Sequence, residues 1–272
     1  MILVTGATGS VGRHVVSQLI AKGAAVRAVV RNPEAAGLPA DVEVVRGDLA
    51  DAESLDAALI GVEAVFLLWP FFSADGASEV VGVIARHARR VVYLSAETAA
   101  GDRGFWAGVE RRIEESGLEW TFLRPTGFAK NTLQWAGQIR TGVVRGPYGE
   151  AGRSLIDERD IAAVAVRALT ENGHTRKTYV LTGPATVTQA EQVRIVGDTI
   201  GRPARWEERP RRDARADLVE IFGDESFADR ALDTWAGFVT QPERVTPTVQ
   251  EVTGVPARSF RQWANDHADN FR

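Results

Sequence analysis

The sequence predicts a protein of the α/β class with a doubly wound parallel sheet, on the strength of two observations. Short apolar or β-branched stretches typical of buried strands alternate with helical patterns over about the first 125 residues. The first stretch, Ile2–Thr5, runs straight into three glycines at Gly6, Gly9 and Gly12. Such β-α-β alternation requires right-handed crossovers between parallel strands, and these crossovers build the predicted sheet.

The glycine turn is followed by apolar residues at helical spacing, from Val15 to Ile20. In a strand-turn-helix unit, Gly6 permits the tight turn, Gly9 lets the backbone approach a pyrophosphate, and Gly12 lets the helix pack on the strand. The helix N-terminus offers N–H groups and a positive dipole to an anion. The motif therefore predicts a Rossmann-type fold that binds a dinucleotide.

The second predicted strand, Ala24–Val30, ends at Arg31, 19 residues after Gly12. In dinucleotide folds an acidic residue near this position holds the ribose 2′-OH, whereas an arginine accommodates a 2′-phosphate. Arg31 therefore predicts NADP(H) over NAD(H). The alternative is an arginine on a solvated loop.

The third predicted strand, Val42–Arg46, delivers Asp48 and Leu49 to the same edge of the sheet. Asp48 can meet the adenine amino group there, or it can cap a helix that Asp51 opens. Both uses remain open from the sequence.

The fourth predicted strand, Ala64–Trp69, is continuously apolar, as a central parallel strand should be. It leads into the aromatic residues Trp69, Phe71 and Phe72. Open α/β sheets bind ligands at the carboxyl ends of their strands, so these rings are candidates to wall a ligand site. The alternative is a loop that packs on the core.

The remaining pattern continues the alternation and then loosens. Predicted helices cover Val80–His87, Phe105–Glu115, Ile161–Leu169 and Gln189–Ile200, and predicted strands cover Val91–Leu94, Glu119–Leu123 and Thr178–Thr182. Thr188 and Glu191 form a capping-box pattern. Glu110, Glu114 and Glu115 share a helix with Arg111 and Arg112, which predicts a solvated face with i,i+4 pairing.

Composition excludes several classes of protein. The chain has 32 Lys and Arg against 36 Asp and Glu, a net charge of −4, and no clustering of arginines, so nucleic acid is not an expected partner. It has no cysteine and four scattered histidines, which predicts neither a disulfide nor a metal site. The longest apolar run, Ala64–Phe72, is about half a membrane span. We expect a soluble, cytoplasmic protein without a membrane partner.

Together these motifs resemble one family over essentially the whole chain: the atypical short-chain dehydrogenase/reductases, in the NmrA-like subgroup that includes NAD(P)H quinone reductases and azoreductase-type proteins. The motifs that carry the resemblance are TGATGSVG at 5–12, VVRNP at 29–33, GDL at 47–49, VVYLSA at 91–96, SGLEWTFLRPTGFAKN at 116–131, RDIA at 159–162, YVLTGP at 179–184 and TGVPARSFRQWANDH at 253–267.

The resemblance implies an NADP-binding Rossmann core over residues 1–130, rejoined by a strand near 178–183. It implies that residues 131–272 mostly build a small substrate-binding lobe. It further implies that Thr8–Gly12 hold the pyrophosphate, Leu67–Trp69 flank the cofactor, and Pro125–Phe128 lie by the nicotinamide. The predicted cofactor contacts are Gly6, Thr8, Gly9, Ser10, Val11, Gly12, Arg31, Asp48, Leu49, Leu67, Leu68, Trp69, Pro125 and Phe128.

The chain departs from the superfamily at the catalytic acid. Typical members use a Tyr-x-x-x-Lys pair, in which the lysine lowers the pKa of a phenol that protonates the substrate carbonyl. None of the three tyrosines here is followed by lysine four residues later, and Trp106 with Glu110 resembles the subgroup's His-x-x-x-Glu variant with Trp for His. Ser95, at the end of the fifth strand, is the remaining candidate to orient a carbonyl; the alternative is a satisfied loop hydroxyl.

Two hypotheses accommodate the missing acid. A quinone, or an aryl ketone with an internal phenol hydrogen bond, delocalises the charge that arrives with hydride, so little protein acid is needed. In lacking the tyrosine, the chain is similar to an atypical ketoreductase of angucyclinone-type polyketides, which implies a role in antibiotic biosynthesis. The candidate contacts for a planar aromatic substrate are Phe71, Phe72, Trp106, Asn131 and Trp135. We expect a monomer or a weak homo-oligomer.

The alternative hypothesis is a non-catalytic, NmrA-like sensor that binds the dinucleotide and reports it to a protein partner. A sugar-nucleotide epimerase is a more distant possibility, because that reaction needs the missing tyrosine.

Overall fold

The computed structural model describes residues 1–100 and 104–272, without the side chains of residues 221 and 222. Its strands are β1 (Ile2–Thr5), β2 (Val26–Val30), β3 (Val42–Arg46), β4 (Ala64–Leu68), β5 (Arg90–Leu94), β6 (Glu119–Pro125), β7 (Val143–Gly146), β8 (Gly152–Arg153), β9 (Lys177–Leu181), β10 (Val187–Thr188) and β11 (Arg205–Glu208). Its α-helices are α1 (Gly12–Ala21), α2 (Ala77–His87), α3 (Gly104–Glu115), α4 (Ala136–Arg140), α5 (Glu158–Thr170), α6 (Gln189–Thr199), α7 (Arg211–Phe222), α8 (Glu225–Thr240), α9 (Thr248–Thr253), α10 (Phe260–Asp266) and α11 (Ala268–Phe271).

The main sheet of the described residues has seven parallel strands in the order β3-β2-β1-β4-β5-β6-β9. Ile2 pairs with Val26 on one side and with Ala64 on the other, so the strand order reverses between β1 and β4. This reversal creates the crevice in which open α/β sheets bind ligands. The predicted doubly wound Rossmann sheet is confirmed, and the strand near Val180 does rejoin it beside β6.

Helices cover the sheet through apolar side chains. Val80 and Ile84 of α2 and Val109 and Ile113 of α3 belong to a buried cluster with side chains of β4 and β5. Helix α1 packs on α5, which also contacts β4, β5 and β6. Because β4 and β5 are buried along nearly their whole length, the centre of the sheet is a rigid support for its loops.

The predicted helix after Asp51 is instead two short 3-10 helices, Ala52–Leu55 and Ala57–Leu59. The Ser54 hydroxyl donates to the Asp51 carbonyl at 2.6 Å and accepts from the Asp48 N–H at 2.9 Å. These local bonds compete with a regular helical ladder and favour the tighter turn.

The chain divides into two compact units. The first contains Met1–Thr126, Glu158–Leu181 and Thr248–Val255; the second contains Gly127–Asp157, Thr182–Pro247 and Pro256–Arg272. In the second unit, β7 pairs with β11 and β8 pairs with β10. The predicted capping box of α6 is present, with the Thr188 hydroxyl accepting from the Glu191 N–H at 3.1 Å.

Across the described residues, no helix combines the length and apolarity that a membrane crossing requires.

Candidate functional site

The glycine turn has the geometry that the sequence predicts. Gly6 has φ +61°, and the Gly9 N–H donates to the Gly6 carbonyl at 2.9 Å. A Cβ on Gly12 would lie 2.1 Å from the Gly6 carbonyl oxygen, so only glycine lets α1 start this close to β1. Among the described residues, no side chain caps the start of α1, and within its first turn the Arg13 N–H already donates to the Gly9 carbonyl at 3.1 Å.

A cleft of about 390 Å³ lies beside this turn in the first unit. Seven of the predicted ligand contacts line it: Gly6, Thr8, Arg31, Asp48, Leu49, Leu68 and Phe71. Gly6 follows β1 and Leu68 ends β4, and a Cβ on Gly6 would lie 3.2 Å from the Leu68 Cβ. The cleft therefore opens at the reversal of strand order.

Arg31 is exposed and lines the cleft where β2 ends. Among the described residues that line the cleft, it is the only cation, and Asp48 is the only carboxylate. The cleft thus carries a single guanidinium on the loop where the sequence predicts recognition of a 2′-phosphate.

Asp48 forms a turn and does not cap a helix. Its carboxylate accepts from the Ala50 N–H at 3.0 Å, while Asp51 precedes the first 3-10 helix without a side-chain cap. Of the two alternatives left open above, the helix-capping one is therefore wrong, and a contact with adenine remains a prediction.

The aromatic segment after β4 divides between core and surface. Leu67 and Trp69 face the core, and the Trp69 indole donates to the Ser73 carbonyl at 2.7 Å. Phe71 lines the cleft, with its ring 5.0 Å from that of Trp69. Phe72 is 91% exposed and lies edge-on to Phe105, outside the cleft. Of the three aromatic side chains predicted to line a ligand site, Phe71 therefore lines this cleft, whereas Trp69 and Phe72 do not.

Ser95 follows β5 at the carboxyl edge of the sheet and is 4% exposed. Its N–H donates to the Leu123 carbonyl at 2.8 Å, but its hydroxyl has no partner within the part of the chain that the structure describes. Among the described residues, nothing therefore supports the alternative of a satisfied loop hydroxyl. An unpaired buried hydroxyl costs about 1–3 kcal/mol, which calls for an explanation such as a ligand.

Tyr93, two residues earlier on the same face of β5, is fully buried in the core. Burial raises the pKa of its phenol well above the ordinary value, and the charge of Glu110 raises it further. Tyr93 therefore stays neutral and lies too deep to protonate a substrate.

The prediction of a solvated Glu110 is wrong. Glu110 is 5% exposed and holds Arg124 of β6 through two bonds of 2.9 and 2.5 Å. The paired carboxylate raises the pKa of Arg124. Glu110 occupies the place where the family pattern has lysine, yet its charge is opposite, so it cannot lower the pKa of a phenol. One turn earlier, the half-buried Trp106 ring lies against Phe105 at 4.0 Å.

The sequence did not identify Arg124 as the partner of Glu110, although Arg124 lies in the motif at 116–131, directly before Pro125. Pro125 ends β6 and is buried, whereas Phe128 belongs to the second unit, where its backbone bridges to Ile156.

The second unit contains its own cavity, of about 330 Å³, and the predicted residues Asn131 and Trp135 line it. Residues outside the set of predicted contacts complete the lining, among them Arg145, Arg153, Gln189, Trp206 and Arg209. They come from separate segments of the chain, so no local motif could have grouped them.

A third hollow, of about 700 Å³, lies in the first unit and shares Leu49 and Phe71 with the cleft. Its charged lining is mainly acidic: Asp51, Glu53, Asp75 and Glu79 against Arg86. Carboxylates repel phosphate, so this hollow does not suit the pyrophosphate of a dinucleotide. Neither in this hollow nor elsewhere in the described chain are three His, Asp or Glu side chains grouped to hold a metal ion.

The reversal of strand order, the close approach at Gly12 and the cleft with its single guanidinium together define a dinucleotide-binding Rossmann protein. The residues present fit a pyridine dinucleotide: backbone N–H groups at the start of α1 suit the pyrophosphate, and Arg31 suits a 2′-phosphate.

Comparison with known proteins agrees. Residues 6–172 match a family described as NAD(P)H-binding. The chain is 40% identical to (4-alkanoyl-5-oxo-2,5-dihydrofuran-3-yl)methyl phosphate reductase of Streptomyces griseus subsp. griseus, over 100% of this chain and 99% of that protein. It is 35% identical to NAD(P)H azoreductase of Xenophilus azovorans, with the same coverage. The crystal structure of an NADPH-dependent quinone oxidoreductase from Escherichia coli matches with a TM-score of 0.82 and 26% identity, over 98% of this chain and 99% of that one.

The chain belongs to the NAD(P)H-binding family, among the atypical short-chain dehydrogenase/reductases of the NmrA-like type. The resemblance noted in the sequence is thereby confirmed, and it places the chain in a class of NAD(P)H-dependent oxidoreductases.

Proposed function

We propose that the protein is an NADPH-dependent reductase that transfers hydride to the carbonyl or quinone of a planar, conjugated small molecule. The observation that carries this proposal is Ser95, whose buried hydroxyl has no partner among the described residues and lies at the carboxyl edge of the sheet. Arg31 supports the choice of NADPH over NADH, because it is the cation on the loop that faces the adenosine ribose in this fold.

In this mechanism the bound nicotinamide supplies a hydride, and the protein supplies binding and orientation. The Ser95 hydroxyl donates a hydrogen bond to the acceptor oxygen, where negative charge develops. Serine is too weak an acid to give up its proton, so water delivers the one proton that balances the two-electron reduction. A conjugated acceptor spreads the incoming charge over its ring system, which makes the missing Tyr-Lys pair tolerable.

The relatives support this substrate chemistry. Their names specify azo compounds, quinones and an acyl dihydrofuranone phosphate. Within this class we propose a polycyclic aromatic ketone of the polyketide type as the finer candidate, with the second unit as the substrate-binding lobe.

The test is NADPH oxidation, followed by absorbance, against a naphthoquinone, an azo dye and a hydroxylated anthraquinone. We expect turnover on at least one acceptor, and we expect Ser95→Ala to lower kcat by roughly 10-fold or more, since it removes a donor to the developing oxyanion. Ser17→Ala, on the exposed face of α1, is the matched control.

Two results would contradict the proposal. No turnover on any acceptor, with NADP⁺ bound at least as tightly as NADPH, would favour the non-catalytic sensor, which the missing tyrosine also fits. Turnover that is unchanged in Ser95→Ala would refute the role of Ser95.

A further inference from the structure

We propose that the cavity of the second unit binds a planar organic molecule through a phosphate monoester group. As a statement about the substrate, this inference rests on the proposed reductase function. The cavity, lined by both indole rings and guanidinium groups, measures about 330 Å³. That volume is near the lower end of the range for small-molecule sites.

The flat wall of the cavity is Trp206 together with Trp135, whose rings meet edge-to-face at 5.3 Å and 74°. Two glycines make room for Trp206: a Cβ on either Gly146 or Gly149 would lie 2.6 Å from the indole. The indole N–H donates to Glu208 at 3.0 Å, which fixes the orientation of the ring. The sequence therefore holds a rigid aromatic surface in the cavity wall, suited to stacking or edge contact with a flat ligand.

The loop that carries these glycines is locked in a costly conformation. Tyr148 has φ +61°, although it is not glycine. Gln189, which lines the cavity, donates to the carbonyls of Pro147 and Tyr148 at 3.0 and 2.8 Å. Backbone held in this region by its surroundings occurs preferentially at ligand sites.

Three arginines, Arg145, Arg153 and Arg209, line the same cavity from different segments. Within the described part of the chain, each guanidinium has one carboxylate partner, at 2.7 Å to Glu207, 3.2 Å to Glu243 and 2.5 Å to Asp217 respectively. A guanidinium has five N–H donors, so one such pair orients it and leaves donors for a ligand.

Of the two carboxylates outside the cavity, Glu207 is shared with a second cation and therefore neutralises Arg145 only in part. Glu207 also pairs with Arg205 at 2.6 Å, and Glu243 also accepts from the Ser154 N–H at 2.9 Å. Among the described residues lining the cavity, Asp217 is the only carboxylate. The lining therefore retains positive charge.

Arg153 is held most tightly of the three. Its guanidinium lies 5.0 Å from the centre of the Phe238 ring, and a Cβ on Gly127 would lie 2.5 Å from one of its nitrogens. Oriented guanidinium forks from three segments match a phosphate, which offers three terminal oxygens as acceptors, better than a planar carboxylate, which offers two.

The experiment is calorimetry on the full chain with 1-naphthyl phosphate, 1-naphthoate, 1-naphthol and inorganic phosphate as probes. We expect 1-naphthyl phosphate to bind at least 10-fold more tightly than 1-naphthol or inorganic phosphate, a difference of about 1.4 kcal/mol. Arg145→Gln and Arg209→Gln should each weaken it about 10-fold and leave 1-naphthol unchanged. Arg194→Gln is the matched control, because Arg194 pairs with Asp198 on the exposed face of α6, outside the cavity.

Equal affinity for 1-naphthyl phosphate and 1-naphthol, or equal affinity in the two cavity variants and the wild type, would overturn the proposal. Equal binding of 1-naphthoate would overturn the assignment to phosphate. NADPH affinity, measured on every variant, verifies that each is folded. Binding needs no turnover, so a protein that binds 1-naphthyl phosphate yet reduces no acceptor would refute the proposed function and leave this site intact.

Discussion

The two units build their candidate sites by opposite means. In the first unit, backbone geometry at Gly6, Gly9 and Gly12 shapes the cleft within one short stretch of chain. In the second unit, side chains from segments as far apart as Asn131 and Trp235 converge on one cavity. This difference means that a short local motif can specify a dinucleotide site. A substrate site made of side chains from distant segments is specified only by the complete fold.

The largest effect should come from breaking the backbone-built site with Gly12→Ala. The new Cβ would meet the Gly6 carbonyl oxygen at 2.1 Å, so the start of α1 must move away from β1. We expect NADPH to bind roughly 100-fold or more weakly, because two charge-assisted hydrogen bonds to phosphate are worth about 3 kcal/mol or more. Fluorescence titration measures the affinity.

Gly82→Ala in α2 is the control for this substitution, since a Cβ there meets no described atom within 4 Å. It should leave NADPH binding unchanged and stabilise the helix by up to ~1 kcal/mol. NADPH affinity within threefold of wild type in Gly12→Ala would show that the glycine turn does not form the binding site.

Arg31→Ala probes the one part of the cleft that depends on a charged side chain. We expect kcat/KM for NADPH to fall about 10- to 100-fold, since a hydrogen bond to a charged group is worth about 1.5–3 kcal/mol. NADH should change by less than threefold. Arg46→Ala is the control, because Arg46 ends β3 without lining the cleft. If Arg46→Ala lost the preference for NADPH and Arg31→Ala kept it, Arg46 and not Arg31 would be the residue that binds the 2′-phosphate.

The same contrast explains how much could be predicted from the sequence. The doubly wound parallel sheet and the glycine turn follow from periodicity and glycine spacing, because those signals are local. The predicted strand Val42–Arg46 has the observed bounds, and Asp48 and Arg31 do reach the cleft.

The errors arose where tertiary contacts override local pattern. Glu110 reads as one of several surface charges on α3, yet Arg124 of β6 draws it into the interior. The Phe72 ring reads as a continuation of an apolar run, but it lies on the surface. Neither the burial of Glu110 nor the exposure of Phe72 could be predicted without knowing the tertiary contacts of each residue.

Gly149→Ala tests the side-chain-built cavity in the same way that Gly12→Ala tests the cleft. The new Cβ would lie 2.6 Å from the Trp206 indole, whose N–H is tied to Glu208, so the ring must tilt. Overpacking of this kind costs about 1–3 kcal/mol, and we expect binding of 1-naphthyl phosphate to weaken about 5- to 100-fold. NADPH affinity should stay within twofold. Gly137→Ala, also in the second unit, is the control, because a Cβ on Gly137 has no neighbour within 4 Å in the part of the chain that the structure describes. Unchanged binding in Gly149→Ala would remove Trp206 from the site.

The smallest effect concerns two buried hydroxyls that have no hydrogen-bond partner among the described residues, that of Tyr93 on β5 and that of Ser95 directly after it. If only the Ser95 hydroxyl serves function, Tyr93→Phe should keep full reductase activity and gain about 1 kcal/mol of stability, because it removes an unsatisfied buried group.

Burial raises the pKa of Tyr93 above the ordinary 10.0, so the folded state keeps the phenolic proton when the unfolded state loses it. The folded state therefore loses stability relative to the unfolded state as the pH rises above 10, and the Phe variant should show a smaller loss, because burial also raises the pKa of Tyr179. Urea unfolding at about pH 7 and about pH 10.5 measures both the gain in stability and its pH dependence.

Tyr179→Phe is the control: its phenol bonds His174 at 2.8 Å, so its loss should instead cost about 1 kcal/mol of stability. A fall in turnover in Tyr93→Phe would make the buried phenol part of the reaction and would displace Ser95 from its proposed role.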